Sequence, residues 1–455
     1  MTSFEQTRER LLPSQIAGDP FAVLMSRRRG SEPRGTERMR LLCHELGDPQ
    51  TGLDVIHVVG TDGKTSVARI TASMLTALGK QVGETTSPHL HDVTERLRLN
   101  GRAIAAEDLH RLADEVLVAI GTIEARHAVR ISFFEAISAA ALLWFARNRV
   151  DIAVVEAGIG GVHDATSVVD SRTVALTPVG CDHEDILGPG AANIAREKAG
   201  VIATGGTLVS AQQRRDVAGV VAAVTSQRCA RLLVAGHDFH VDHRRSTPFG
   251  QHVVLRGVDG VTVDGVLPLR GAHQAANAVQ ALATIQAHLR GAPVDTTALA
   301  RGLESVALGG RGEVVACSDQ TLLVFDGAHD ALSAQALART VIPMAAQRRL
   351  VVVVGMTGDR NPGVIADAFG SAADALIVTN TSTPSRVPAS RLRAQLNVAG
   401  YQAHLADDVT VAIRHAREQL GAEVVVVTGS LYLVGEARRG LVELAGMPAA
   451  MDMRA

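Results

Sequence analysis

The chain has 455 residues, 46% of them hydrophobic, more than one small core requires, so two domains are expected. Its formal net charge is -2, which leaves no field of one sign to hold a nucleic-acid backbone or an anionic membrane and favours small-molecule chemistry. The cysteines Cys43, Cys181, Cys229 and Cys317 stand far apart with no CxxC pair, which argues against a zinc knuckle or a disulfide framework and fits a reducing cytoplasm. The first twenty residues carry charge and no apolar h-region, and apolar stretches elsewhere are broken before membrane-spanning length. The expectation is therefore a soluble, unexported, cytoplasmic protein.

In chain order, short apolar runs alternate with longer helical patterns. Residues 54–59 read as a buried strand, and amphipathic patterns follow over 66–78 and 134–147, with apolar residues returning every three or four positions. Strands are expected at 152–156 and 174–176, and a helix over 194–202. Around 239–269, polar and apolar residues alternate between Gly257, Gly260 and Gly265, which suggests an antiparallel hairpin region inserted in the first domain, with a helix beginning near Ala272. Further strands are expected at 322–325, 350–354, 375–378 and 424–427. Nearly continuous apolar strands separated by helices imply parallel sheets covered on both faces. The fold class is α/β. A P-loop-type, mostly parallel sheet domain flanked by helices is expected over 1–306, and a smaller Rossmann-like α/β domain over 307–455, hinged at the paired glycines of 307–311.

The first strand runs directly into Gly60-Thr61-Asp62-Gly63-Lys64-Thr65-Ser66, where a helix pattern starts. Glycines let the backbone curl so that its N–H groups point inward, the helix N-terminus adds partial positive charge, and Lys64 supplies a full one. Thr65 stands where a P-loop hydroxyl ligates Mg²⁺. Val58 occupies the first glycine position of GxxxxGK[ST], and the bland reading is a glycine-rich turn with a surface lysine. A kinase, a GTPase and a ligase would all use such a loop.

Later segments narrow that choice. The loop is followed by Thr85-Thr86-Ser87-Pro88-His89-Leu90, Ser132-Phe133-Phe134-Glu135, a glycine-rich run from Glu156 to Thr166, Cys181-Asp182-His183, and a helix pattern carrying Lys198. Then come His273-Gln274-Ala275-Ala276-Asn277, Gly310-Arg311, Asp326-Gly327-Ala328-His329, and a run from Thr428 to Leu433 that contains Ser430. In this order the set resembles the folylpolyglutamate synthase and dihydrofolate synthase family of Mur ligases, over nearly the whole chain.

The resemblance implies that ATP phosphorylates a substrate carboxylate, an amine attacks the acyl phosphate, and phosphate leaves an amide. It implies Lys64, Glu156, His183 and Lys198 as catalytic residues. Ser87, Glu156 and His183, with Thr65, would be ligands of Mg²⁺, and Lys198, if carbamylated, would add an anionic oxygen. Residues 60–66 with Asn277, Arg311 and Asp326 would hold the nucleotide, and His329 and Ser430 the incoming glutamate. The partners implied are a small-molecule carboxylate and an amino acid, acted on by a monomer. Taken singly, Glu156 reads as a solvated strand-end carboxylate, His183 as a loop histidine, Lys198 as a solvent-facing helix charge and Arg311 as a surface guanidinium.

The sequence also departs from the family pattern. Asp62 replaces the usual Asn, Val162 and Ser167 stand where Arg and Asn are usual, Asp330 replaces Asn after His329, and Gly358-Asp359-Arg360-Asn361 stands where Asp-Lys-Asp is typical. Asp62 introduces a carboxylate beside a triphosphate, a repulsion on the order of a kcal/mol unless compensated. Three alternatives stay open: a ligase for a non-folate carboxylate and amine, a non-catalytic nucleotide-binding paralogue, and a plain NTPase. The last would need no second domain carrying Arg311, Asp326, His329 and Ser430.

Overall fold

The computed structural model describes residues 20–27 and 35–440; the N-terminal stretch read above as lacking an h-region lies almost wholly outside them. Three sheets organise the chain. The first comprises β1 (Val55–Val59), β2 (Val82–Thr85), β3 (Leu97–Leu99), β4 (Arg102–Ala103), β5 (Ile152–Glu156), β6 (Thr173–Leu176), β7 (Thr207–Ser210) and β8 (Arg231–Val234), in the order β4-β3-β2-β5-β1-β6-β7-β8. Its strands are parallel except at the β2–β3–β4 edge, where pairing is antiparallel. Every residue of β1 and β5 is buried, as a sheet covered on both faces demands. His57 is the polar exception within β1. Ser171 Oγ lies 2.8 Å from Nδ1 and Thr166 Oγ1 2.9 Å from Nε2, while burial pushes the imidazole down to about 4 and so keeps it neutral.

The alternating segment forms a second, three-stranded antiparallel sheet of β9 (His240–Thr247), β10 (Gly250–Arg256) and β11 (Thr262–Leu267). The third sheet is built from β12 (Arg311–Ala316), β13 (Leu322–Asp326), β14 (Leu350–Val354), β15 (Ala375–Thr379), β16 (His404–Ala406) and β17 (Val424–Thr428), in the order β12-β13-β17-β14-β15-β16. Only β12 runs antiparallel to its neighbour.

Two expectations need correction. The helices Lys64–Ala77 and Phe133–Arg147 are not half-exposed amphipathic helices, because both are buried on nearly every face. Lys64–Ala77 lies between the first sheet and the helices Ala272–His288 and Thr296–Glu304, close enough that a Cβ on Gly302 would sit 2.6 Å from Met74 Cα. Phe133–Arg147 starts at a reciprocal cap in which Ser132 Oγ accepts from the Glu135 N–H and the Glu135 carboxylate accepts from the Ser132 N–H. All four cysteines are free. Among the described residues no helix is long and apolar enough to cross a membrane.

Candidate active site

The carboxyl ends of β1, β5 and β6 open into one cavity of about 750 Å³, the position where open α/β sheets bind ligands. At β1 the chain turns through Gly60 and Gly63, whose φ values of +146° and +83° favour glycine. There is no room for a side chain at either. A Cβ on Gly60 would lie 1.9 Å from Thr177 Oγ1, and one on Gly63 2.8 Å from Asn277 Oδ1. Lys64 Nζ folds back over the loop and donates to Gly60 O at 3.1 Å and Thr61 O at 2.8 Å. Thr61, Asp62, Gly63, Lys64, Thr65 and Ser66 line the cavity, and Gly60 forms the floor of the turn.

Glu156, at the end of β5, joins two of the predicted segments. Its Oε1 accepts from Thr65 Oγ1 at 2.9 Å and its Oε2 from the Ser87 N–H at 3.0 Å. Burial raises its pKa above the ordinary carboxylate range, opposed by Lys64, the two hydrogen bonds and Arg311. Thr65, Ser87 and Glu156 all line the cavity and carry hard oxygen atoms, a donor set that suits Mg²⁺. No cluster of three or more His, Cys, Asp or Glu that could hold a metal occurs among the described residues. His183 lines the same cavity in a left-handed conformation, its Nε2 3.5 Å from Asp182 Oδ2, and burial lowers its pKa.

Lys198 stands behind this wall rather than on it. It is 4% exposed on the helix Ala191–Ala199, with Nζ 3.5 Å from Gly160 O, so it is not a solvent-facing charge. Burial, then the charge of Lys64, brings its amine down to about 7. Its neighbour Glu197 accepts from the N–H groups of Gly161 and His163 and holds the glycine-rich turn in place.

The third sheet supplies the opposite wall. Arg311 opens β12 opposite Asp326 at the end of β13. Asp326 accepts from the N–H groups of Gly312 and Ala328 at 2.7 and 2.8 Å, and burial raises it to about 6 against the pull of Arg311. His329 Nδ1 lies 2.8 Å from Gly327 O, so Nδ1 carries the proton and Nε2 is left as an acceptor. Ser430 caps the helix Leu431–Arg439 by accepting from the Tyr432 N–H. Asn277, Arg311, Asp326, His329 and Ser430 all line the cavity.

Sequence reasoning assigned no role to several other lining residues. Phe133 and Phe134 line the cavity, with the Arg96 guanidinium 5.3 Å from the Phe133 ring centroid and Arg38 bonded to Glu135. The two Phe lie in a quoted motif, but only the fold brings Arg96 over them. Asp182 and Arg360 also line the cavity.

Comparison with known proteins agrees with this geometry. Residues 58–285 match the Mur ligase middle domain, and residues 310–431 the Mur ligase glutamate ligase domain. The chain is 33% identical over 436 residues to the dihydrofolate synthase/folylpolyglutamate synthase of Mycobacterium tuberculosis, covering 88% of each chain. It belongs to the folylpolyglutamate synthase/dihydrofolate synthase family of Mur ligases. A protein of Halobacterium salinarum named "probable bifunctional folylpolyglutamate synthase/dihydropteroate synthase" is 37% identical over 429 residues, and the match spans 91% of this chain but half of that protein. Folylpolyglutamate synthase of M. tuberculosis, solved with ADP and AMPPCP, superposes with a TM-score of 0.86 at 32% identity over 92% of this chain and 96% of that one. An FPGS–AMPPCP–folate complex superposes with a TM-score of 0.82 at 29% identity, over 93% and 98%.

Proposed function

We propose that this member of the family is an ATP-dependent amide ligase that activates the carboxylate of a folate or dihydropteroate as an acyl phosphate and joins it to the amine of glutamate. The division of labour would be an ATP-binding unit over 1–306 and a ligase unit over 307–455. The reading is carried above all by the single cavity that runs from the phosphate loop past Glu156, with Phe133 and Phe134 on one side and His329 and Ser430 on the other.

In this reading the N–H groups of the loop and Lys64 receive the triphosphate, Lys64 exchanging its bonds to Gly60 and Thr61 for phosphate oxygens. Asn277, Arg311 and Asp326 hold the rest of the nucleotide. Thr65, Ser87, Glu156 and His183 would hold Mg²⁺, which when bound supplies neutralisation of the phosphate charge. The flat end of the acceptor would lie against Phe133 and Phe134, whose rings line the cavity. His329 Nε2 and Ser430 receive the amino acid, and the Arg360 guanidinium faces the same space to meet a carboxylate. The third sheet closes the cavity from above and keeps water from the acyl phosphate. Lys198, whose amine is about half neutral at pH 7, is available to take up CO₂ as a carbamate.

Phosphate release tests the proposal. With ATP, it should appear only when dihydropteroate or tetrahydrofolate and glutamate are both present, and release from ATP alone would overturn the ligase reading. Extending the screen to other carboxylates and amines tests a second reading, a non-folate pair, favoured by Val162, which stands 38% exposed where the family pattern has Arg.

A further inference from the structure

Asp62 lies on the phosphate loop and Asp330 caps the helix Ala331–Ala345 of the second half, yet their carboxyls lie within hydrogen-bond reach of each other. Asp330 Oδ1 already accepts from the N–H groups of Leu332 and Ser333, at 2.8 and 2.9 Å. The Oδ2 atoms of Asp62 and Asp330 are both buried, and neither has a donor to accept from. Ionised carboxylates only accept hydrogen bonds, so contact between these two requires a proton. Nothing nearby substitutes for it: Lys64 is turned onto the loop carbonyls, and His329 Nε2 lies 3.9 Å from Asp330 Oδ2, beyond hydrogen-bond reach. Asp182 adds a further negative charge and Arg360 a positive one. Burial first, then the charge of Asp330, push Asp62 up to about 8.

We propose that Asp62 and Asp330 are positioning residues, a proton-sharing carboxyl pair that clasps the second half of the chain to the phosphate loop and makes the assembled nucleotide site depend on that proton. With the proton in place, the two walls are joined and the loop carries one negative charge less toward a triphosphate. Without it, the carboxylates repel each other and the phosphates. The clasp stands on the contact alone; its effect on nucleotide affinity rests also on the ATP reading of the loop. The contribution of an acid whose pKa is raised on folding is complete below the unfolded value of 3.8 and is lost as pH rises through about 8.

Asp62→Asn and Asp330→Asn provide the test, because an amide N–H donates to the remaining carboxylate without a shared proton. Asn at position 330 also retains the capping oxygen. Unfolding midpoints between pH 5 and 8, and ADP affinity between pH 7 and 10, are compared with the parent. The parent midpoint should fall with pH relative to both variants, and above about pH 8 its ADP affinity should weaken by up to tenfold per pH unit relative to theirs. In turnover, the difference should appear in KM for ATP rather than in kcat. Parallel stability curves for parent and variants overturn the clasp, and one folded variant suffices for the comparison. Diverging stability curves without ADP binding at any pH support the clasp and overturn the ATP reading.

Discussion

Glu156→Gln is expected to move stability and catalysis in opposite directions. In the parent the buried carboxylate accepts from Thr65 Oγ1 and the Ser87 N–H, yet burial still raises its pKa. Such a group stabilises the fold fully below its unfolded pKa, and that contribution is lost as pH rises through the folded value, beyond which the ionised side chain is a cost. Gln retains the shape. Its amide oxygen accepts from the Ser87 N–H and its amide nitrogen donates to the Thr65 hydroxyl, which accepts as well as it donates. Replacing two charge-assisted bonds by neutral ones loses roughly 1 kcal/mol each. Removing a buried charge returns several kcal/mol. The net expectation at pH 8 is between no change and a gain of about 2 kcal/mol. Catalysis loses the only carboxylate side chain of the proposed Mg²⁺ set, and about 3–4 kcal/mol of lost transition-state stabilisation slows turnover roughly 10²- to 10³-fold. Denaturant unfolding at pH 8 and phosphate release in the complete reaction measure the two quantities. Destabilisation by more than about 2 kcal/mol, or turnover within fivefold of the parent, would refute the reasoning.

Gly63→Ala forces a left-handed φ on a residue with a Cβ, at about 1–2 kcal/mol, and drives that Cβ into Asn277; ADP affinity by calorimetry should fall at least tenfold. Lys198→Met should unfold at a higher temperature than the parent at pH 7. The amine's depressed pKa means that its burial penalty is largest at and below about 7 and fades toward 10.5, so the gap should close by pH 10. The same variant should lose ligase turnover and any ¹³C carbamate signal formed from labelled bicarbonate. Arg438→Ala removes a buried guanidinium that donates to Glu313 Oε1 from Nε and Nη2, at 3.1 and 2.9 Å, and lies 2.5 Å from His91 Nε2 through Nη1. It thereby breaks a junction between the halves, and a loss of about 3 kcal/mol is expected in denaturant melts.

Much of this was local and therefore legible. Runs such as Ile152–Glu156, apolar up to its final carboxylate, and Leu350–Val354, apolar throughout, read that way because both sheet faces are covered, and their limits coincide with the observed strands. The short strands β2, β3, β4, β7, β8 and β16 passed unseen, since runs of two to four residues carry little or no measurable period. The helix Lys64–Ala77 was misjudged because its small and hydroxylated residues, Ala68, Thr71 and Ala72, look like a solvent face but serve close packing.

For this chain the sequence by itself determined the α/β class, the phosphate loop and the ordered motifs, because each depends on neighbours a few residues apart. Only the tertiary structure decided which of those motifs touch. Glu156 reaches Thr65 and Ser87 because β5 lies between β1 and β2, an order set by sheet packing and not by chain proximity. Lys198 is buried because its helix packs beneath the glycine-rich turn, where periodicity alone placed an exposed charge. Asp62 and Asp330 read in sequence as two separate departures. Folding brings their acceptor atoms together out of water, where charge and proton can no longer be assigned to one residue without the other.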